Sequence, residues 1–211
     1  MLLWIPFRLK PVPVQFKIAY LQWHQSNNRM LKKIIIIVAV LAVIVVAGLY
    51  YANNRNRTLS PPGQASITEG DLTVSVAYSR PSVRGRVIFG SEEAGALQPF
   101  GAYWRLGANE STEITFNRDV QFSGNPVKAG TYRMYAVPGP TSFDIILNTE
   151  LGRWGVFEPD PEKDIVRIAT PVNRLASPVE QFTIRLEPQQ GAAALIMEFS
   201  DVQLQILISG Q

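Results

Sequence analysis

An unbroken apolar run near the start dominates the pattern of the chain. From Ile34 to Tyr51 the sequence is IIIIVAVLAVIVVAGLYY, without a charge or a side-chain amide. As a helix that rises about 1.5 Å per residue it spans roughly 27 Å, close to the thickness of a bilayer hydrocarbon core. Lysines precede the run and tyrosines end it, as suits the two membrane interfaces. The pattern predicts a transmembrane helix over residues 31–52, with the lipid bilayer as its partner.

A cleaved signal peptide is the main alternative for this run. The apolar region of a signal peptide is normally about 7–15 residues long and ends at a small-x-small cleavage site. The run here is longer, and Ala47-Gly48-Leu49-Tyr50-Tyr51 offers no good site. An uncleaved signal anchor is therefore favoured.

After residue 64 the hydrophobic period changes to two. Residues 53–64 are polar and contain prolines, so we expect a linker there. Beyond them, apolar and polar residues alternate in short segments, as in antiparallel strands with one buried face. The predicted strands are 72–78, 86–89, 113–117, 120–122, 131–137, 143–148, 165–170, 181–187, 193–199 and 202–208. Turn sequences separate several of them, at 123–126, 138–140, 158–161 and 188–191.

The predicted fold class is therefore all-β. An antiparallel β-sandwich or jelly-roll-like domain over residues 65–210 follows a single N-terminal transmembrane helix. Residues 1–29 have no clean periodicity, and Met30-Leu31-Lys32-Lys33 directly before the apolar run resembles a natural start. We expect residues 1–29 to be a disordered tail or an upstream extension of the reading frame.

Charge is distributed unevenly along the chain. Residues 1–57 hold eight basic residues and no acidic one, whereas residues 58–211 hold 12 basic and 17 acidic residues, a net charge of −5. An acidic domain binds phosphate backbones poorly, so we expect no nucleic-acid partner. More basic residues precede the apolar run than follow it, which favours a cytoplasmic N-terminus and a periplasmic or otherwise extracytoplasmic C-terminal domain.

Several chemistries are excluded by residue type. The chain has no cysteine, and its one histidine, His24, precedes the apolar run. The β domain therefore lacks the residues for Ser-His-Asp or Cys-His catalysis and for His- or Cys-ligated metals. No phosphate-binding glycine loop is present. We expect no catalytic residue, no metal site and no cofactor.

The most concentrated polar stretch is Tyr103–Glu113, which holds aromatic rings, a guanidinium, an amide and carboxylates. With Arg84-Gly85-Arg86 upstream, such a set could bind a sugar-like or carboxylated ligand, Trp104 stacking on it and Arg105 and Asn109 donating hydrogen bonds. The candidate ligand-binding residues are Arg84, Arg86, Trp104, Arg105, Asn109 and Glu110.

Two other interpretations of this stretch stay open. In a purely structural module, Trp104 belongs to the core and Arg105 pairs with Glu110. In a carboxylate-dependent, glycan-active hydrolase, two acids would face each other across a cleft. Glu110 and Glu113 are close in sequence, but three positions apart on a strand they should point to opposite faces.

A family resemblance rests on particular segments. They are Arg80–Gly90, Pro99-Phe100-Gly101, Trp104–Glu110, Ala129–Tyr132, Val137-Pro138-Gly139, Ile146-Leu147-Asn148, Trp154-Gly155 and Glu180–Thr183. Together they resemble the bacterial "domain of unknown function 2911" family over about residues 65–208. The resemblance implies an exported bacterial β domain and names no activity. Leu106, where the family usually has a small polar residue, and Phe199, where Trp is common, depart from its pattern.

The leading functional hypothesis is a non-catalytic, membrane-anchored domain of the cell envelope. It would bind a small polar or carbohydrate-like ligand or an envelope partner.

Overall fold

A computed structural model describes the backbone of residues 14–211, in which one long helix precedes a β domain. Helix α1 spans Val14–Leu59. Every side chain of the apolar run, residues 34–51, is exposed. Among the described residues, one helical stretch, Arg29–Leu59, is long and apolar enough to cross a membrane, a criterion that signal sequences also meet. The chain divides into two compact units, and the second begins at Asn54.

Two segments differ from their predicted structure. Residues 53–59, expected in a linker, continue helix α1, and the first strand begins at Pro62 rather than after residue 64. Residues 14–29, expected to be disordered, are helical; residues 1–13 of the expected tail lie outside the described residues. The physical reason is that a nucleated helix is extended at little cost. Contacts with the β domain further stabilise its last residues.

Twelve strands are present in the described chain. They are β1 (Pro62–Glu69), β2 (Leu72–Ser79), β3 (Phe89–Gly90), β4 (Gln98–Pro99), β5 (Thr112–Phe116), β6 (Val120–Phe122), β7 (Asn125–Val127), β8 (Gly130–Val137), β9 (Ser142–Asn148), β10 (Asp164–Pro171), β11 (Asn173–Gln189) and β12 (Ala192–Gly210). A 3-10 turn at Pro161–Lys163 precedes β10. The all-β class with one N-terminal helix is confirmed.

The strands form two main sheets. One has the order β1-β2-β5-β8-β9-β10 and the other β11-β12-β6-β7, and all neighbours in both are antiparallel. The short pair β3–β4 is parallel. Alternate residues of both sheets are buried in one shared core, as the period of two requires. Rings from different loops and strands meet in it, with Trp104 packed among Phe89, Phe182 and Phe199.

Some predicted strands have different bounds in the structure. Only Phe89 of the predicted strand 86–89 is in a strand, because Arg84 (φ 52°) and Gly85 (φ 68°) turn the chain just before it. The predicted strands 193–199 and 202–208 belong to one strand, β12, with Ser200 at φ 56° between them. In the predicted turn 123–126, Ser123 and Gly124 form the turn, and Pro126 already lies in β7.

Candidate functional site

The segment between Trp104 and β5 has an unusual backbone. Leu106 (φ 51°), Gly107 (φ 146°) and Asn109 (φ 57°) all have positive φ angles. Residues other than glycine rarely take this conformation, and such strain clusters at functional sites. Tertiary contacts hold it here, since Leu106 is fully buried and its carbonyl accepts a 2.5 Å hydrogen bond from Thr112 Oγ1.

A cavity of about 280 Å³ lies beside this segment. Five of the six candidate residues line it, namely Arg84, Arg86, Trp104, Arg105 and Asn109. Asn56, Leu59 and Ser60, which belong to the same compact unit, complete one wall. The structure therefore brings together residues from two separate stretches of sequence that were grouped as one candidate site.

Trp104 contributes to this cavity from the core. It is 2 % exposed, and its ring stacks on Phe199 with an interplanar angle of 13° and a centroid distance of 6.4 Å. Phe89 and Phe182 pack against it edge-on. Since neighbouring rings pack around the indole, the expected stacking of Trp104 on a sugar has little open ring face to use. Of the two departures from the family pattern, Phe199 lines the cavity, and Leu106 lies in the core.

The exposed arginines of the cavity bind backbone carbonyls. Arg84 Nη2 donates to the carbonyl of Leu59 at 2.9 Å, and the backbone N–H of Arg84 donates to Glu180 Oε1 at 3.0 Å. Arg86 donates from Nε to Val83 O and from Nη2 to Ser82 O. Each guanidinium has five N–H donors, so both retain donors for a ligand.

Arg105 differs from its neighbours in having no bonded partner. Its half-buried guanidinium forms no hydrogen bond or ion pair with any residue of the described chain 14–211. Burial lowers the pKa of Arg105, and repulsion from the nearby Arg133 adds to this lowering, while Tyr103 opposes it. Since an arginine stays charged in proteins, the cavity contains an unneutralised positive charge.

Asn109 and Glu110 bind the end of helix α1. Asn109 Nδ2 donates to Ser60 O at 3.1 Å and to Asn56 O at 3.5 Å. Glu110 forms an ion pair with Arg57 rather than with Arg105, so the ion pair expected for a purely structural segment is not present. Asn109 thus supplies a partner for the carbonyl of Ser60, just beyond the helix, and Glu110 neutralises Arg57 in the last helical turn.

Glu110 lies in a second cavity of about 380 Å³. Glu113 and Arg153 also line it, so the two glutamates share one cavity, contrary to the expectation that they point to opposite faces. The reason is that β5 begins only at Thr112, so strand alternation does not relate position 110 to position 113. Both carboxylates are engaged, Glu110 with Arg57 and Glu113 with the N–H of Gly152.

A buried arginine that was not among the candidate residues lies close to Tyr103 and Arg105. Arg133 of β8 is 0 % exposed, and its Nη2 donates to Tyr103 Oη and to Phe157 O, each at 2.5 Å. Its Nε and Nη1 have no hydrogen-bond partner in the described chain. Burial raises the pKa of Tyr103, and its hydroxyl donates to Gly155 O at 2.8 Å.

The loop after β9 is attached to the same segment. Gly155 N donates to Asn109 O, and Ser111 N donates to Arg153 O. A Cβ at Gly155 would lie 2.7 Å from Arg105 Cδ, so this glycine permits the observed position of Arg105. The loop is braced by Glu150, which accepts from Lys163 and pairs with Arg153. Nothing in the sequence signals the burial of Arg133, because alternation in β8 places it on the face opposite the core residues Tyr132 and Met134.

Comparison with known proteins supports a family assignment. The pattern of the family described as "Protein of unknown function (DUF2911)" matches residues 60–208, which include all of the β strands except the last residues of β12. Comparison with curated proteins and with solved structures yields no match. The residues of the described chain hold no group of three or more His, Cys, Asp or Glu placed to bind a metal ion. By the extent of the match, this chain belongs to the DUF2911 family of proteins of unknown function.

Proposed function

We propose that this chain is a membrane-anchored protein whose β domain binds a small polar ligand outside the cytoplasm. The observation that carries the ligand-binding proposal is the convergence of five candidate residues on the cavity beside residues 104–109. The anchor is supported by the exposed apolar run of residues 34–51 within helix α1. The same anchor, together with the excess of basic residues before the apolar run, supports a location of the β domain in the cell envelope.

The chemistry of the cavity supports binding rather than catalysis. Guanidinium and amide donors line the cavity, together with the backbone of the strained segment. No carboxylate of the described chain lines it, so the cavity lacks a carboxylate that could act as a general acid or base. The guanidinium of Arg105 has free donors. The side chains of Arg84, Arg86 and Asn109 are each fixed by hydrogen bonds to backbone carbonyls. A site of this kind selects a ligand by hydrogen bonds and charge.

Ligand binding is tested by a thermal-shift screen of the full-length protein in detergent. The screen uses small organic acids, phosphate esters and neutral mono- and oligosaccharides. We expect a compound that raises the unfolding temperature of the wild type and of Arg174→Ala, but not of Arg105→Ala. Arg174 is a matched control because it is exposed on β11 and paired with Asp201. A screen in which Arg105→Ala changes no response would contradict the proposed site.

The orientation is tested by cysteine labelling, which the cysteine-free sequence permits without background. Gln211→Cys at the end of the β domain and Met30→Cys before the apolar run are treated in intact cells with a membrane-impermeant maleimide. The proposal predicts labelling of position 211 alone. Labelling of position 30 alone would show the opposite orientation and contradict the proposal.

A further inference from the structure

The guanidinium groups of the arginines around the cavity form no ion pair within the described chain, although the backbone N–H of Arg84 donates to Glu180. Seven of the 12 basic residues in 58–211 form ion pairs. The other five form none within the described chain, and they are Arg80, Arg84, Arg86, Arg105 and Arg133. Arg84, Arg86 and Arg105 line the cavity. Arg80 directly precedes Pro81, which also lines it. Arg133 does not line the cavity, but its charge repels that of Arg105.

The location of these charges is unexpected for a domain of net charge −5. Acidic residues outnumber basic ones, so carboxylates were available to neutralise every arginine. A buried cation is costly unless it is paired, and Arg133 is fully buried while Arg105 is half-buried. A cluster that stays unpaired in an acidic domain is suited to an anion from outside the chain.

We infer that the cavity binds the anionic group of its ligand, a phosphate or a carboxylate, with Arg105 as the central donor. This inference rests on the proposed ligand-binding function and narrows it to one class of ligand. The forked guanidinium donors of Arg105 match the paired oxygens of either anion, and Arg86 supplies further donors from the exposed rim. The buried Trp104 leaves little surface for sugar stacking, which also favours charge over carbohydrate recognition.

Two sources of such an anion are compatible with the site. One is a free small molecule that carries a phosphate or carboxylate. The other is the headgroup of an anionic phospholipid, because the wall residues Asn56, Leu59 and Ser60 follow the apolar run by only five to nine positions. Both sources share the same chemistry at Arg105.

Calorimetric titration tests whether the cavity prefers an anion to a neutral sugar. The full-length protein in a zwitterionic detergent is titrated with inorganic phosphate, acetate and glucose. We expect phosphate or acetate to bind and glucose not to bind. Loss of charge-assisted hydrogen bonds in Arg105→Gln should weaken binding about tenfold or more. Arg105→Lys should retain part of the affinity, because it keeps the charge and loses the fork. Arg174→Gln should bind like the wild type.

Reconstitution distinguishes the two sources. The wild type and Arg105→Gln are compared in nanodiscs of phosphatidylcholine alone and with phosphatidylglycerol added. If phosphatidylglycerol stabilises the wild type but not Arg105→Gln, the anion is a lipid headgroup. If phosphate binds in detergent and phosphatidylglycerol has no selective effect, the anion is a free molecule. Arg86→Gln, at an exposed position, repeats the comparison should Arg105→Gln fail to fold.

Three results would overturn the inference. Binding of glucose that depends on Arg105, with no response to phosphate, acetate or phosphatidylglycerol, would leave the ligand site standing and exclude the anion. An equal loss of anion binding in Arg105→Gln and Arg174→Gln would show general surface attraction. No Arg105-dependent response to any probe would reject the anion, and with a negative thermal-shift screen it would reject the proposed site as well.

Discussion

Asn109 Nδ2 lies 3.1 Å from the carbonyl oxygen of Ser60, so an amide of the β domain binds the backbone where helix α1 ends. Asn109 itself has φ 57°, a conformation that asparagine tolerates better than most residues. Together with Arg84, which binds Leu59 O, it makes residues 54–60 part of the same folded unit as the strands.

Asn109→Ala should therefore destabilise the β domain. The substitution removes both amide hydrogen bonds and places alanine in a left-handed conformation, which together should cost about 2–3 kcal/mol. Thermal unfolding followed by circular dichroism measures the loss. Ser123→Ala is the control, because Ser123 has a similar φ of 50° in the turn between β6 and β7 and no side-chain hydrogen bond in the described chain. Equal losses in the two variants would show that Asn109 acts through its backbone conformation alone.

Gly107 should tolerate no side chain. A Cβ there would lie 2.7 Å from the carbonyl oxygen of Ser79, and φ is 146°. Gly107→Ala should cost about 2–4 kcal/mol from contact and backbone strain combined. Gly124→Ala, at φ 80° with no atom within 4 Å of its Cβ, should cost about 1 kcal/mol. Comparable unfolding temperatures for the two variants would contradict the close packing of Gly107 on β2.

Gly155→Ala should impair the cavity more than the fold. Its Cβ would lie 2.7 Å from Arg105 Cδ, the end of a flexible side chain that can move away. Any ligand response that depends on Arg105 should therefore weaken, although Asn109 O at 3.0 Å adds a smaller structural cost. Gly152→Ala in the same loop strains the backbone at φ 70° but meets no atom within 4 Å, so it controls for a loss of loop stability without contact to Arg105. Unchanged binding in Gly155→Ala would mean that Arg105 is not held by this contact.

Acid should weaken the loop after β9 through Glu150. The hydrogen bonds from Lys163 and from the backbone N–H of Asp160, together with the charge of Arg153, hold the pKa of Glu150 below its ordinary value of 4.5. A lowered pKa stabilises the fold above the ordinary value, and this contribution is lost as the pH falls through the folded-state pKa. The unfolding temperature of the wild type should therefore fall more between pH 6 and pH 3 than that of Glu150→Gln. Glu162→Gln, whose side chain has no bonded partner in the described chain, should behave like the wild type. A wild-type curve parallel to that of Glu150→Gln would contradict the role of this carboxylate.

The strands were the most predictable part of the fold. Alternation identified β2, β5, β6, β8, β9, β10, β11 and β12, because each buries one face in the shared core. Strand β1 was missed because Pro61, Pro62 and Gly63 resemble a spacer, and its pairing with β2 is a tertiary contact. The helix end was missed for a related reason: polar residues 53–59 are held as helix in part by Asn109 and Arg84, which are distant in sequence.

The candidate site was predictable only in outline. The density of polar and aromatic residues identified Arg105 and Asn109, and Arg84 and Arg86 were added as charged residues a short distance upstream. Sequence order could not show that Trp104 would lie in the core, or that Glu110 would pair with Arg57. The absence of ion pairs at Arg105 and Arg133 depends on the positions of all the carboxylates in space. Only the three-dimensional structure shows it.

Membrane extraction is the decisive experiment for the membrane-spanning anchor. The full-length protein is expressed in cells, and their membranes are washed with alkaline carbonate, which releases peripheral proteins. We expect the intact chain to stay in the membrane pellet. The triple variant Val38→Asp, Ala42→Asp, Val45→Asp should be lost from it, because charges at the centre of a span are costly. Recovery of the full-length wild-type chain in the soluble fraction would contradict a membrane-spanning anchor.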